Sequence, residues 1–398
     1  MTSEGADFEA RGLAMTTPHP LGERIVKAEG CWLETDGGER LFDLVSGIGV
    51  SSLGHGNQKV AQALRDQIDK HLHVMVYGEY AQEPQDRAAK VLLGNLDAYG
   101  LDSVYFVNSG TEAIEGAMKL VRRVTGRTEI FGLTGGYHGG TTGALSLSTP
   151  SSRRNAFLPL MPEVGHLPFG GMDALEMITS RTAAVFAETV QGDAGIRPLP
   201  EPYFRALRAK CDETGALLVL DEIQCGLGRT GHRHAFEAYG IAPDVLVLGK
   251  ALGGGMPMGA FVSSKDRMAG LRAHPKLGHI TTFGGHPMAC AACAAFLQEL
   301  ETVDLRTVQA QGMQWKAALE AHPSVVEVRG SGHFLGVDLD GPERVTALVA
   351  AARQKGLVLF WFLSRPQGFR IAPPLNASKS ELDAALVLLL EALDEAGR

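Results

Sequence analysis

Between about residue 55 and residue 275, short apolar runs alternate with longer segments whose apolar residues recur at helical spacing. SVYFV, TEIFGL, TAAVFA, ALLVL, DVLVL and GAFVSS have the length and composition of buried strands. NQKVAQALRDQIDKHL, EPQDRAAKVLLGNL, GTEAIEGAMKLVRRVTG and PYFRALRAKCDETG carry the period of helices between them. Such alternation predicts an α/β fold built on a mostly parallel sheet. From about residue 285 the pattern changes. A small-residue helix, PMACAACAAFLQEL, leads into VVEVRG, HFLGVDLD, a helix ERVTALVAAARQKG, LVLFWF, GFRIAPP and a terminal helix, an α+β cluster of its own. The stretch ERIVKAEGCWLETDGGERLFDLV reads as hairpin strands that join this cluster. The expected organisation is a segment 1–54 attached to a small domain at 285–398, with a large domain at 55–284.

The chemistry gathers where the strands stop. SVYFV runs into Asn108, Ser109, Gly110 and Thr111; TEIFGL leads to Gly135, Gly136, Tyr137 and His138. TAAVFA stops at Glu188, ALLVL at Asp221, and DVLVL at Gly249 and Lys250. Ligands of open α/β sheets bind beyond the carboxyl ends of the strands. Each group has an ordinary explanation alone. Ser109 could simply cap a helix, Asp221 pair with an arginine, Tyr137 and His138 sit in a solvated turn, and Lys250 snorkel from a loop. Together they suit pyridoxal 5′-phosphate (PLP). A lysine can form an imine with its aldehyde, and a carboxylate can pair with the ring nitrogen and make the ring an electron sink. A helix N-terminus takes the phosphate, and an aromatic covers the ring.

Composition narrows the partners. The 398 residues carry a formal charge of −8, with basic residues scattered, so no footprint for nucleic acid or an anionic membrane is present. No apolar run approaches the roughly 20 residues of a membrane span, and the N-terminus lacks a secretory pattern. Five cysteines do not suggest a disulfide framework. Cys290 and Cys293 lie in the small-residue helix without a second ligand pair, so close packing rather than a metal is expected. The expected compartment is the cytoplasm.

The segments NSGTEA, YHG, DEIQCGLGRTG, LGKALGGGMPMGA and TTFGGHPMA occur in an order and spacing similar to those of the class III aminotransferases of PLP fold type I. The resemblance runs from about residue 20 to 375. It implies a mostly parallel seven-stranded sheet with helices on both faces, plus a smaller α+β domain. It implies that Lys250 forms the Schiff base and shuttles a proton, and that Asp221 binds the pyridine nitrogen. Ile223 and Tyr137 would flank the ring, with Gln224 near the phenolic oxygen. Ser109, Gly110 and Thr111 would hold the phosphate. His138 would support the Tyr137 turn, and Glu188 would lie near the cofactor and incoming substrate. Thr282 would reach the phosphate of a neighbouring subunit, which implies a homodimer with shared active sites. Arg370, in GFRIAPPL, matches the position that binds a substrate α-carboxylate.

Within that class the pattern resembles the acetylornithine, ornithine and 4-aminobutyrate aminotransferases. These move an amino group remote from the substrate carboxylate, mostly to 2-oxoglutarate, in two ping-pong half-reactions. In that subgroup a glutamate after QG gates an arginine of the Arg370 type. Here the residue is Asp193, shorter by a methylene, and it is expected to meet Arg370 only through backbone adjustment or water. Gly140 stands where a basic residue is more usual, Thr189 for a proline, His286 for an asparagine and Pro18 for a tyrosine. Tyr77, Trp361 and Phe362 are candidates for the donor pocket, core packing being the plainer explanation for the last two. An aminomutase or decarboxylase on the same scaffold is an alternative. A nucleotide-binding oxidoreductase is another, against which GLTGGYHGG is not followed by a clean helix.

Overall fold

The structure, a computed structural model, describes residues 12–17, 21–76, 78–149 and 151–397. Its centre is a seven-stranded sheet in the order Ser103–Val107, Gly259–Ser263, Val245–Leu248, Leu217–Asp221, Thr182–Glu188, Glu129–Leu133 and Val164–Leu167. Only Gly259–Ser263 runs against its neighbours. Six strands coincide with the apolar runs of the sequence. The seventh, the edge strand Val164–Leu167, is short and contains Gly165 and His166, too little apolar content to stand out.

Strand alternation divides the core in two. Ala184, Phe186, Val219, Val245, Val247 and Phe261 face one side, where the helix Gly110–Thr125 packs its Ile114, Ala117 and Val121. Val185, Ala187, Leu218, Leu220, Leu246 and Leu248 face the other, against Phe204 and Leu207 of the helix Glu201–Thr214. Strands buried on both faces must be apolar throughout, which is why they read as unbroken runs.

The smaller part has its own core. Trp315, Val337, Leu348, Phe369, Leu389 and Leu393 share it with Cys31, Phe42 and Leu44 from the N-terminal hairpin. The terminal helix Lys379–Ala396 begins with a capping box between Ser378 and Glu381 and buries Leu382, Leu386, Leu389 and Leu393. The helix Pro287–Leu300, which follows the boundary expected near 285, lies elsewhere. Its Cys290, Cys293, Phe296 and Leu297 belong to the core of the large sheet. Small residues let it approach the helices Gln58–Ile68 and Glu83–Leu93 closely. A six-residue helix, Thr142–Leu147, does follow GLTGGYHGG. Its Gly- and Ser-containing sequence hid it, and its first turn is held from outside, by Glu115 Oε1 accepting from the amides of Gly143 and Ala144.

Candidate active site

The carboxyl edge of the sheet opens into a cavity of about 230 Å³. Gly110, Thr111, Tyr137, His138, Glu188, Asp221, Ile223, Gln224 and Lys250 line it, with Gly139 and Gly140 in its wall. Residues more than a hundred positions apart thus meet because their strands are neighbours. Asp221 and Glu188 are register partners on adjacent parallel strands. Lys250 follows the next strand over, two positions after Leu248.

The anion-binding side is built first. Ser109 caps the helix Gly110–Thr125, its hydroxyl accepting from the Glu112 amide at 3.3 Å. Its backbone lies so close to the strand behind it that a β-carbon at Gly259 would sit 2.1 Å from the Ser109 carbonyl oxygen. Gly139 has a φ of 133°, and a β-carbon there would come within 2.3 Å of Thr111 Oγ1. The Thr111 and Thr141 hydroxyls are 2.7 Å apart, and Thr141 donates to Glu115 Oε1 at 2.5 Å. The start of the helix is therefore fixed by both backbone crowding and a side-chain network.

The acidic side is held just as firmly. Asp221 is buried; its Oδ1 accepts from the Ile223 amide at 2.9 Å and its Oδ2 from His138 Nδ1 at 2.7 Å. Glu188 Oε1 accepts from the Tyr137 amide at 3.0 Å and Oε2 from the Gly192 amide at 2.8 Å. These contacts add to the role expected of His138, whose backbone amide holds the turn through the Ser148 hydroxyl at 3.0 Å. Glu188 also supports the Tyr137 turn, and the His138 imidazole holds Asp221. Burial alone would disfavour protonated His138, but the Asp221 hydrogen bond and charge outweigh it and raise its pKa. Burial raises the pKa of Glu188, with His138 opposing the rise.

Lys250 occupies a positive-φ position, φ 46°, at the start of a short 3₁₀ turn. A side chain there carries backbone strain of the kind that collects at functional sites. Burial lowers its pKa, against the pull of Asp221 and Glu188. A lysine of this kind is easier to find neutral, the form in which its nitrogen can take up a proton or attack.

Arg370 lies outside the cavity lining, buried on the strand Gly368–Ile371, with its guanidinium 4.8 Å from the centre of the Phe362 ring. Asp193 Oδ1 is 3.5 Å from Arg370 Nη2. The shorter carboxylate thus meets the arginine directly rather than through water, although at a long distance, the other route expected being an adjustment of the backbone. Its stronger partners are the Ser364 hydroxyl at 2.5 Å, the Leu363 amide at 3.1 Å and Arg153 Nη2 at 3.2 Å. Burial lowers the Arg370 pKa, with Asp193 opposing. Arg153 and Ser364 gave no signal in the sequence pattern; both reach Asp193 through the fold alone. Phe362 is a buried core side chain and Trp361 stacks on Phe360 at 4.4 Å. Thr282 is exposed and does not line this cavity. Tyr77 lies outside the described residues, as does Pro18.

A lysine and a tethered carboxylate meet on the carboxyl edge of a doubly covered parallel sheet, and the family match says what class of enzyme this is: a transaminase. The chain belongs to the family Aminotransferase class-III, whose model matches residues 16–393. It is 40% identical over 376 residues to the acetylornithine aminotransferase of Methanopyrus kandleri, covering 94% of this chain and 95% of that one. The acetylornithine aminotransferase of Bacillus subtilis is 35% identical over 375 residues, covering 93% and 94%. Among solved structures, the ornithine aminotransferase of Toxoplasma gondii superposes with a TM-score of 0.90 at 26% identity, over 99% of this chain and 96% of that one. A PLP-bound amine transaminase from an uncultivated Pseudomonas species superposes with a TM-score of 0.87 at 25% identity, over 96% and 98%. Family membership sets the oxidoreductase reading aside.

Proposed function

We propose that this transaminase uses PLP to move a terminal amino group from a donor such as N-acetylornithine, ornithine or 4-aminobutyrate to 2-oxoglutarate. The observation that carries the reading is the cavity holding Lys250, Asp221 with its His138 partner, and the capped helix start at Ser109, Gly110 and Thr111. The fit to a flat phosphorylated ring is supported by Gly139 and Gly259, where a side chain would push into the segments that border the phosphate position. When bound, the coenzyme supplies an electron sink that lets a C–H bond beside the nitrogen ionise.

The protein supplies the rest. Ser109, Gly110 and Thr111 bind the phosphate at a helix N-terminus, where backbone amides and the helix dipole favour an anion. Asp221 binds the ring nitrogen and keeps it protonated, and His138 keeps Asp221 aimed. Ile223 and Tyr137 orient the ring from its two faces, and Gln224 steadies its edge. Lys250 holds the aldehyde carbon at rest and moves a proton at Nζ during turnover. Arg370 binds the α-carboxylate of the dicarboxylate acceptor once Asp193 gives it up. Thr282, exposed and away from its own cavity, suits a contact with the phosphate of a second copy, so the working unit proposed is a homodimer. The five cysteines are buried and unpaired, which suits a reducing cytoplasm. Among the described residues no helix is long and apolar enough to cross a membrane.

The test is a panel of the purified holoprotein. N-acetylornithine, ornithine and 4-aminobutyrate are each offered with 2-oxoglutarate or pyruvate. A visible coenzyme band should bleach with donor alone and return with keto acid, the two-stage behaviour of a ping-pong route. Keto acid should be consumed one for one with donor; an aminomutase or decarboxylase would need no such stoichiometry. Lys250→Ala should lose both covalent attachment under borohydride and turnover. An active alanine variant would overturn the reading, and transfer to pyruvate alone would remove the role given to Arg370.

A further inference from the structure

Gly140 lines the active-site cavity, and a β-carbon there would meet nothing within 4 Å. The basic side chain that resemblance places at this position is missing, and open space stands in its stead. A different cation lies just outside the lining, against Tyr137, which belongs to it. Arg153, from the short helix Ser151–Arg154, lays its guanidinium 5.6 Å from the centre of the Tyr137 ring and reaches Asp193 Oδ2 at 3.2 Å.

Arg153 and Arg370 therefore share one carboxylate. Among the described residues neither makes an ion pair with any other acid. Asp193 is tied besides to the Ser364 hydroxyl and the Leu363 amide, so its position between them is set by the loop, not by either arginine. Two guanidiniums against one carboxylate leave one positive charge unmatched in a partly desolvated cleft. That arrangement is costly by itself and favours an incoming anion. The two cations differ in depth. The Arg370 side chain is 5% exposed and the Arg153 side chain 24%. Tyr137, on which Arg153 leans, is itself 39% exposed at the cavity mouth. A donor whose amine reached Lys250 and extended outward past Tyr137 would bring an acid at its far end toward Arg153.

We infer that Arg153 recognises the carboxylate of the amino donor remote from the transferred nitrogen. Arg370 is left to the keto-acid acceptor. The inference rests on the aminotransferase reading above and specifies its donor as an amino acid with a distal carboxylate. A guanidinium suits this task because it meets a carboxylate through two parallel hydrogen bonds.

The experiment compares wild type, Arg153→Gln, Arg153→Lys and the double variant Gly140→Arg with Arg153→Gln, each verified as cofactor-loaded by its visible absorbance. Donor and acceptor KM are measured separately, with 4-aminobutyrate and butylamine as a donor pair that differs by the carboxylate. Arg153→Gln should raise the 4-aminobutyrate KM about 10- to 100-fold, the range for losing a charge-assisted hydrogen-bonded pair. It should change the 2-oxoglutarate KM by less than about threefold and remove most of the preference for 4-aminobutyrate over butylamine. Arg153→Lys should recover part of that preference, and Gly140→Arg should recover part of it from the other wall. An unchanged donor KM, or donor and acceptor KM rising together, overturns the inference while leaving the aminotransferase reading standing. A loaded wild type that transfers nitrogen from no donor overturns both.

Discussion

His138 Nδ1 donates to Asp221 Oδ2 across 2.7 Å, and both side chains are buried. A carboxylate is acceptor-only, so the proton of this hydrogen bond belongs to the imidazole nitrogen. Asp221 keeps one other partner, the Ile223 amide. His138→Leu should therefore leave a buried carboxylate half satisfied and free to turn from the coenzyme. We expect PLP affinity, followed by absorbance titration, to fall roughly 10- to 100-fold. The variant should also lose stability in a pH-dependent way. The pair raises the His138 pKa above its ordinary 6.5, so its stabilisation is complete below that value and is lost as pH rises through the raised one. The gap between wild type and variant should narrow with increasing pH; a constant gap with unchanged affinity would refute the pairing role.

Glu222 follows Asp221 in sequence but serves a different structure. Its Oε1 accepts from the Thr189 hydroxyl at 2.8 Å and the Phe236 amide at 2.7 Å, and its Oε2 from the Ala235 amide at 2.7 Å. Thr189 thus gives Glu222 a donor that a proline could not. Burial still pushes the carboxyl from 4.5 up to about 7. A raised pKa makes the native state bind a proton the unfolded chain has lost, so this contribution to stability is full below 4.5 and disappears as pH approaches 7. The sum is on the order of 3 kcal/mol. Glu222→Gln should flatten the stability decline across that window in urea unfolding; parallel profiles for the two proteins would contradict the shift.

These two acids show what was legible beforehand. Asp221 and Lys250 stood out because an apolar strand stops abruptly at a charge, and a sheet edge is where such charges collect. The partners of those charges did not stand out. His138 meets Asp221 across one intervening strand, Thr182–Glu188, and hydrophobic periodicity records nothing of a side chain's direction in a turn. Asp193 was judged by its length alone, whereas its reach is decided by the loop at Leu363 and Ser364. The helix Thr142–Leu147 was invisible for a similar reason: its N-terminus is satisfied by Glu115, 26 residues before Thr141. The local chain therefore discloses elements and reactive groups, and long-range hydrogen bonds decide what those groups do.

Gly259 tests the backbone side of the phosphate site. A methyl group there would stand 2.1 Å from the Ser109 carbonyl oxygen and 3.1 Å from the Gly110 nitrogen, both backbone atoms with little room to yield. Gly259→Ala should displace the helix start and weaken PLP binding about tenfold or more, with an overpacking cost of about 1–3 kcal/mol in stability. The same loss of stability with unaltered coenzyme affinity would mean that the helix start does not hold the phosphate.

Asp193 separates two explanations of acceptor binding. If its charge masks Arg370, a keto acid must displace it, and Asp193→Asn removes that competition. The 3.5 Å contact is long, so the masking is weak and the gain modest: a fall of roughly three- to tenfold in the 2-oxoglutarate KM, less than a full charge-assisted pair is worth. The neutral amide can still accept from the Leu363 amide through its oxygen, and its NH2 can donate to the Ser364 hydroxyl in place of the bond Asp193 accepts from it, which keeps the loop in place. The uncompensated guanidiniums should nevertheless lower the melting temperature of the empty enzyme, since burial already disfavours the Arg370 charge. Saturating dicarboxylate should restore much of that loss by supplying the missing counter-charge. If Asp193 instead only positions the loop, Asp193→Asn will leave the acceptor KM unchanged, and added dicarboxylate will stabilise wild type and variant equally.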